Sequence, residues 1–150
     1  MQYSIGEAAK KMNISTATLR YYDKEGLLPF VERTSGGARV FSDHDFWWLN
    51  LISCLKKAGM PLKEIRRYIE MTMQGEETME ARLNMFRQQR LQILQQMEEL
   101  QRTLDVVDYK CWYYETALAA GDEAAARDLP EEGLPEKLRP IRRWLRAEEM

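Results

Sequence analysis

Apolar residues recur in two rhythms along this chain, and the change of rhythm divides it. Near the start they fall at Ile5, Ala8, Ala9 and Met12, the i, i+3, i+4, i+7 stripe of a short amphipathic helix. Ser4 and Glu7 occupy the two ends of a capping box, and Asn13 suits the left-handed residue that closes such a helix. Ser15 is placed to cap a second helix running from residue 16 to about 25, which Gly26 and Pro29 stop. Two β-prone runs, 30–33 and 38–41, flank a Thr34-Ser35-Gly36-Gly37 turn and predict a hairpin. Ser42 then opens a third helix to about Ala58, with Asp43 and Asp45 complementing its first turn. Its apolar face is expected to be Trp47, Trp48, Leu51, Ile52, Cys54, Leu55 and Ala58. Pro61 opens a fourth helix to about Met73, turning Leu62, Ile65 and Ile69 inward, and Gly75 ends it.

After Thr78 the spacing alternates four and three: Met79, Leu83, Phe86, Arg90, Ile93, Met97, Leu100, Leu104, Val107, Cys111, Tyr114, Leu118. This is a heptad seam interrupted only by Arg90, with no Gly or Pro before Gly121. At 1.5 Å per residue it predicts one helix about 60 Å long. A lone helix cannot bury such a stripe. The simplest cover is a second copy of the chain, giving a symmetric dimer; the alternative is a tail that folds back over the seam. In the tail, Leu134, Leu138, Ile141 and Leu145 suggest a short final helix disturbed by Pro140, with Trp144 a candidate to dock.

Composition narrows the chemistry. The chain is 45% hydrophobic and 31% charged, a globular balance, and no run approaches the roughly 18 apolar residues of a membrane span. No secretion signal is visible, and the two cysteines, Cys54 and Cys111, make no disulfide framework, so a cytoplasmic, reducing setting is expected. One histidine, His44, and two distant cysteines give no zinc-site spacing, and there is no nucleophile elbow, phosphate loop or dinucleotide fingerprint. Neither an enzyme nor a cofactor or metal site is expected. Net charge is +3 over residues 1–75 and −5 over 76–150, which permits nucleic-acid binding in the first half without requiring it.

Helix, turn, helix, hairpin is the order of a winged helix-turn-helix. The expected architecture is mainly α with a small β-hairpin wing. A winged helix-turn-helix head (3–75) precedes a coiled-coil dimerisation helix (78–119) and a C-terminal extension (121–150). In the second helix, Thr16, Thr18 and Arg20 lie in the turns that meet bases and flanking phosphates in such heads. Arg33 and Arg39 in the wing suit phosphate or minor groove, and Lys63 with the amides at the fourth helix start suits phosphate. A coiled-coil adaptor whose head binds protein, and a DNA-binding regulator without an effector, are the alternative readings.

Residues 3–118 resemble the MerR family of bacterial transcription regulators. The resemblance rests on Leu19-Arg20-Tyr21-Tyr22, Gly26-Leu27-Leu28-Pro29, the Gly37-x-Arg39-x-Phe41 wing, and Ala58-Gly59-Met60-Pro61-Leu62 followed by Glu64-Ile65. It implies an antiparallel coiled-coil dimer that bends and untwists promoter DNA for RNA polymerase. It further implies that Tyr21 touches the DNA backbone while Tyr22 packs. Ala38 and Phe41 stand where many members carry tyrosines, so no tyrosine hydroxyl is expected at the wing.

Metal-sensing and iron–sulfur members carry cysteine clusters, and drug-binding members a large C-terminal domain; with two lone cysteines and about 30 residues past Gly121, neither mode of sensing is expected here. The Cys54 context, ISCLKKAGM, resembles the aldehyde- and electrophile-responsive branch, which uses a single cysteine at this place. A thiolate beside Lys56 and Lys57 is chemically suited to that task, while a small hydrophobe packed on an apolar face is the alternative. Likewise Cys111, Trp112, Tyr113 and Tyr114 form either dimer-core packing or an aromatic pocket for a small apolar effector.

Overall fold

The computed structural model describes residues 1–147. It divides into two units, 1–90 and 91 onward, joined through one continuous helix.

In the first unit, strand β1 (Gln2–Ser4) leads into helix α1 (Ile5–Met12), and after a three-residue turn comes α2 (Thr16–Lys24). The capping box forms as the sequence predicts. The Ser4 amide donates to Glu7 Oε2 at 2.8 Å and the Glu7 amide to Ser4 Oγ at 3.3 Å. These bonds hold the Glu7 carboxyl below its ordinary pKa. Asn13 takes the left-handed conformation, φ 53°, that turns the chain toward α2. Ser15 caps α2 through its hydroxyl, which accepts the Thr18 amide at 3.0 Å.

The wing is larger than the hairpin read from the sequence. Strands β2 (Glu32–Arg33) and β3 (Arg39–Ser42) pair as expected, but β1 adds to the other edge of β3, giving the order β1-β3-β2. Tyr3 lies opposite Phe41, and Glu32 opposite Val40. β1 has three residues and no apolar run, so only its pairing with a strand far along the chain reveals it. Gly37, φ +81°, supplies the turn conformation, and Thr34 donates to the Ala38 carbonyl at 2.8 Å.

Helix α3 (Asp43–Lys57) keeps most of its expected inward face, with Ile52 and Leu55 buried and Trp48 and Leu51 packed partly buried against the core, and departs from it at two residues. The buried stripe is Phe46, Leu49, Ile52 and Leu55, while Trp47 is 56% exposed and Cys54 is exposed. Three consecutive aromatics, 46–48, make the facing ambiguous to hydropathy alone. Packing selects Phe46 because its ring meets Tyr3 edge-on at 5.1 Å. Helix α4 (Leu62–Gln74) buries Ile65, Tyr68, Ile69 and Met71. The core of this unit gathers Ala8, Leu19, Tyr22, Leu27, Leu28, Phe41, Leu49, Ile52, Ile65 and Ile69 from α1, α2 and the loop after it, β3, α3 and α4.

Helix α5 (Met79–Ala120) is a single helix of 42 residues. Its first turns belong to the head. Phe86 meets Tyr68 edge-on at 4.9 Å, and buried Gln89 donates to the Ala58 carbonyl at 3.3 Å, satisfying the C-terminal end of α3.

In the second unit, α5 continues beside a tail of helix α6 (Ala124–Arg127), two single turns of 3-10 helix and helix α7 (Arg139–Ala147). Pro140 does not disturb the last helix. It sits in the first turn, where a missing amide costs nothing. Leu134 and Leu138 bury against Tyr109, with Trp112, Tyr113, Ile141 and Leu145 around them. Arg142 is buried as well. Its guanidinium donates to the Leu129 carbonyl at 2.7 Å and to the carbonyls of Ala126 and Arg127, capping the C-terminal end of α6. The tail thus occupies the Tyr109 face of α5 and leaves the heptad seam bare. Leu100 is 69% and Leu118 82% exposed, with Met97, Leu104, Val107 and Tyr114 also exposed. Among the described residues no helix is long and apolar enough to cross a membrane.

Candidate nucleic-acid interface

The inward side chains of α2 decide which of its residues remain free. Leu19 and Tyr22 are buried, which turns Ala17, Arg20, Tyr21 and Lys24 outward along one stripe at i, i+3, i+4, i+7. Tyr22 packs, with Lys56 Nζ 5.3 Å above its ring, and Tyr21 is 44% exposed. Arg20 and Tyr21 therefore lie where the sequence places them, on a presentable face. Thr16 and Thr18 are half-buried at the first turn, and the Thr18 hydroxyl is engaged with Ser15 Oγ at 2.8 Å. The sequence reading missed Ala17 and Lys24. The signal was available: once Leu19 and Tyr22 are assigned inward, positions 17 and 24 follow from helical periodicity. A small apolar residue beside an arginine is a suitable pair for a thymine methyl and a neighbouring base edge.

The wing arginines are not the free side chains expected from the sequence. Asp23, on the flank of α2, takes both of them. Arg33 Nη2 lies 3.0 Å from Asp23 Oδ2, and Arg39 Nη2 pairs with Asp23 Oδ1. Arg39 also donates to the Val31 carbonyl at 3.0 Å and the Leu28 carbonyl at 3.4 Å, and its side chain is only 15% exposed. Burial lowers its pKa from the ordinary guanidinium value, and its Nε has no hydrogen-bond partner. Arg39 is thus a clasp between wing and α2. Arg33 is half-exposed and keeps part of its fork toward solvent while donating to the Gly37 carbonyl at 3.2 Å. Lys63 is exposed at the first turn of α4. Together, α2, the wing and the α4 start present Arg20, Lys24, Arg33 and Lys63 as cations on the head.

Cys54 lies on the outer face of α3, one turn from Asn50 and Lys57 and two from Trp47, all exposed. The packing alternative is therefore not realised within this chain. The residues 111–114 do not form one pocket. Trp112 and Tyr113 turn to the tail cluster, whereas Cys111 and Tyr114 are exposed. The cavity found there is lined by Tyr113 and Tyr114 but not by Cys111 or Trp112. No group of three or more His, Cys, Asp or Glu side chains is placed to hold a metal among the described residues.

A winged helix-turn-helix head on a long helix with a bare apolar seam is the architecture of a DNA-binding regulator. Comparison with known proteins gives the family. Residues 3–72 match the model of the MerR HTH family regulatory protein, and residues 46–108 the model described as MerR, DNA binding. An uncharacterized HTH-type transcriptional regulator of Haemophilus influenzae is 47% identical over 131 residues, 87% of this chain and 96% of that one. The HTH-type transcriptional regulator AdhR of Bacillus subtilis is 33% identical over 92 residues, 61% of this chain and 66% of its own. Among solved structures, HiNmlR, described as a MerR family regulator lacking the sensor domain and bound to promoter DNA, aligns with a TM-score of 0.74 at 47% identity. That alignment covers 83% of this chain and 99% of that one. A MerR family regulator from Bacillus thuringiensis aligns with a TM-score of 0.67 at 36% identity, over 74% of this chain and 97% of its own. The chain belongs to the MerR family: it is a DNA-binding transcription regulator and not an enzyme.

The clasp has a measurable consequence. Asp23→Ala leaves the mostly buried Arg39 without its counter-charge and is expected to cost about 1–3 kcal/mol of stability in urea unfolding. In the double variant with Arg39→Ala the losses should be less than additive, with a coupling of about 1 kcal/mol. Strict additivity would mean that the pair does not hold wing to helix.

Proposed function

We propose that the chain acts as a homodimer, joined through an antiparallel coiled coil of α5, whose two heads bind one promoter operator and distort it for RNA polymerase. The observation that carries this reading is the bare seam. The tail packs on the Tyr109 face of α5 and leaves Met97, Leu100, Leu104 and Val107 exposed in a row. An apolar stripe of this length is costly in water, and a second identical stripe covers it symmetrically. A two-fold dimer then offers two α2 stripes to major grooves a fixed distance apart. Where that distance differs from the half-site spacing of straight B-form DNA, binding bends or untwists the duplex at a cost of order 1–6 kcal/mol, which the added contacts offset. The relative bound to promoter DNA supports the operator as the partner.

Within this reading Arg20 reads a base edge from the outer stripe of α2, with Ala17, Tyr21 and Lys24 alongside. Thr16, Thr18, Arg33 and Lys63 serve the flanking phosphates. Arg39 serves indirectly, by holding the wing against Asp23. Cys54 is the switch: its thiol is exposed on α3 beside Lys57, open to attack on an electrophile such as an aldehyde. Modification alters DNA output only if the two states of the dimer differ in their affinity for the adduct-bearing thiol.

Three measurements test the reading. Leu100 lies near the middle of the seam, so Leu100→Glu brings two like charges together across an antiparallel pair. Analytical ultracentrifugation should show monomers where wild type is dimeric; a variant that stays dimeric would falsify the seam as the interface. In gel-shift titrations on the gene's own upstream DNA, Arg20→Ala is expected to weaken operator binding by about 1–3 kcal/mol and relax preference at one base pair. Lys63→Ala should instead weaken all sequences alike and reduce the salt slope by about 1. Finally, promoter output with and without a small aldehyde is compared for wild type and Cys54→Ser. A response in wild type alone establishes the thiol switch. Equal responses, or none, show a regulator that does not sense through Cys54.

A further inference from the structure

Beside the tail, the second unit holds a cavity of about 460 Å³ that DNA binding does not use. Its walls differ in chemistry. Tyr109, Tyr113 and Tyr114 line one side, and the rings of Tyr113 and Tyr114 meet edge-on at 5.1 Å. Lys110, Arg127, Arg142 and Arg146 line it as well, against a single acid, Glu123. Glu123 is engaged by the Tyr113 hydroxyl at 3.4 Å, and Arg127 is held by Asp128 through Nε at 2.9 Å. Counting Asp128 and the Glu131–Arg143 pair, the described residues of this neighbourhood keep an excess of two positive charges.

Arg142 makes the excess consequential. It is only 4% exposed, its two Nη atoms donate to neutral backbone carbonyls, and its Nε has no partner. Its direct bonds all go to carbonyls, and the carboxylates of Asp128 and Glu131 act on it only through space, so its buried charge retains a desolvation cost that a directly bonded anion would offset. A guanidinium fork suits a carboxylate, and tyrosine faces and edges suit a flat ring. The volume lies within the range of small-molecule sites, roughly 300–1,000 Å³.

We propose that this cavity is a binding site for a small aromatic carboxylate. The ring lies among the tyrosines, and the carboxylate meets the Arg142, Arg146 and Lys110 side. The charge of the walls selects an anion over the apolar effector that the tyrosines by themselves suggest. The site is independent of the operator reading, because its occupancy requires no DNA.

The test is calorimetric titration of the full-length protein with sodium benzoate, with benzamide as the neutral isostere. Benzoate should bind saturably, and benzamide more weakly by roughly tenfold or more. Arg142 caps α6, so its removal confounds binding with folding. The double variant Lys110→Gln/Arg146→Gln changes exposed side chains and removes one bond, from Arg146 to the Arg127 carbonyl, which Arg142 also holds; it should lose benzoate affinity by a similar factor, with a melting temperature close to that of wild type. Absence of saturable binding, equal binding of benzamide, or undiminished binding by the double variant each overturns the proposal. Gel shifts on the same preparations are read separately, so a protein that binds DNA but not benzoate, or the reverse, is recognised as such.

Discussion

An eight-residue helix and a nine-residue helix are too short to persist in water by themselves, since nucleation is costly and few hydrogen bonds repay it. The surface proposed to read DNA therefore exists only through its packing. Leu19 and Tyr22 anchor α2 in a core shared with α1, β3, α3 and α4, and the caps at Ser4, Asn13 and Ser15 fix where the two helices start and stop. The same constraint reaches the wing, whose strands of two and four residues would not hold as an isolated hairpin. β1 on one edge and the Asp23 clasp on the other side keep it in place.

The long helix solves two packing problems on two faces. The Tyr109 face is covered from within the chain, by leucines of the tail and by the buried Arg142, which repairs the carbonyl end of a helix only four residues long. The seam face is left uncovered. Heptad spacing suits helix-on-helix packing along its whole length, whereas the irregular, proline-bearing tail can only dock locally. Segregating the two faces means that the second copy of the proposed dimer would not compete with the tail for the same side chains.

Much of this was legible in the sequence because local rules and tertiary demands agree. Caps, glycine stops and periodicity placed each major helix to within a few residues, and the heptad pattern gave the long helix nearly end to end. What escaped was non-local. Strand β1 has no pattern of its own and exists by pairing with Val40–Ser42 across some forty residues. Asp23 looked like an ordinary helix-end charge until folding brought Arg33 and Arg39 to it. On α3 the consecutive aromatics Phe46, Trp47 and Trp48 all suit an inward place, and contacts from elsewhere in the chain separate them: Phe46 meets Tyr3 and Trp48 stacks on Phe30, which leaves Trp47 outward. The motif-bearing stretches located the candidate interface, yet a motif names residue types and not their company, which is why Arg39 was expected at phosphate and is found in the clasp.

The division of labour around α2 bears on how such a regulator can diversify. Positions 17, 20, 21 and 24 project from the helix, whereas 19 and 22 fill the core and 23 holds the wing. The outward four can be exchanged with little penalty to the fold, so under the proposed reading a duplicated copy could acquire a new operator through a handful of changes and remain intact throughout. The inward three form a barrier to that drift, because each is answerable to partners elsewhere in the head. Recognition is free to evolve here to the extent that one side of a single short helix carries none of the structure's weight.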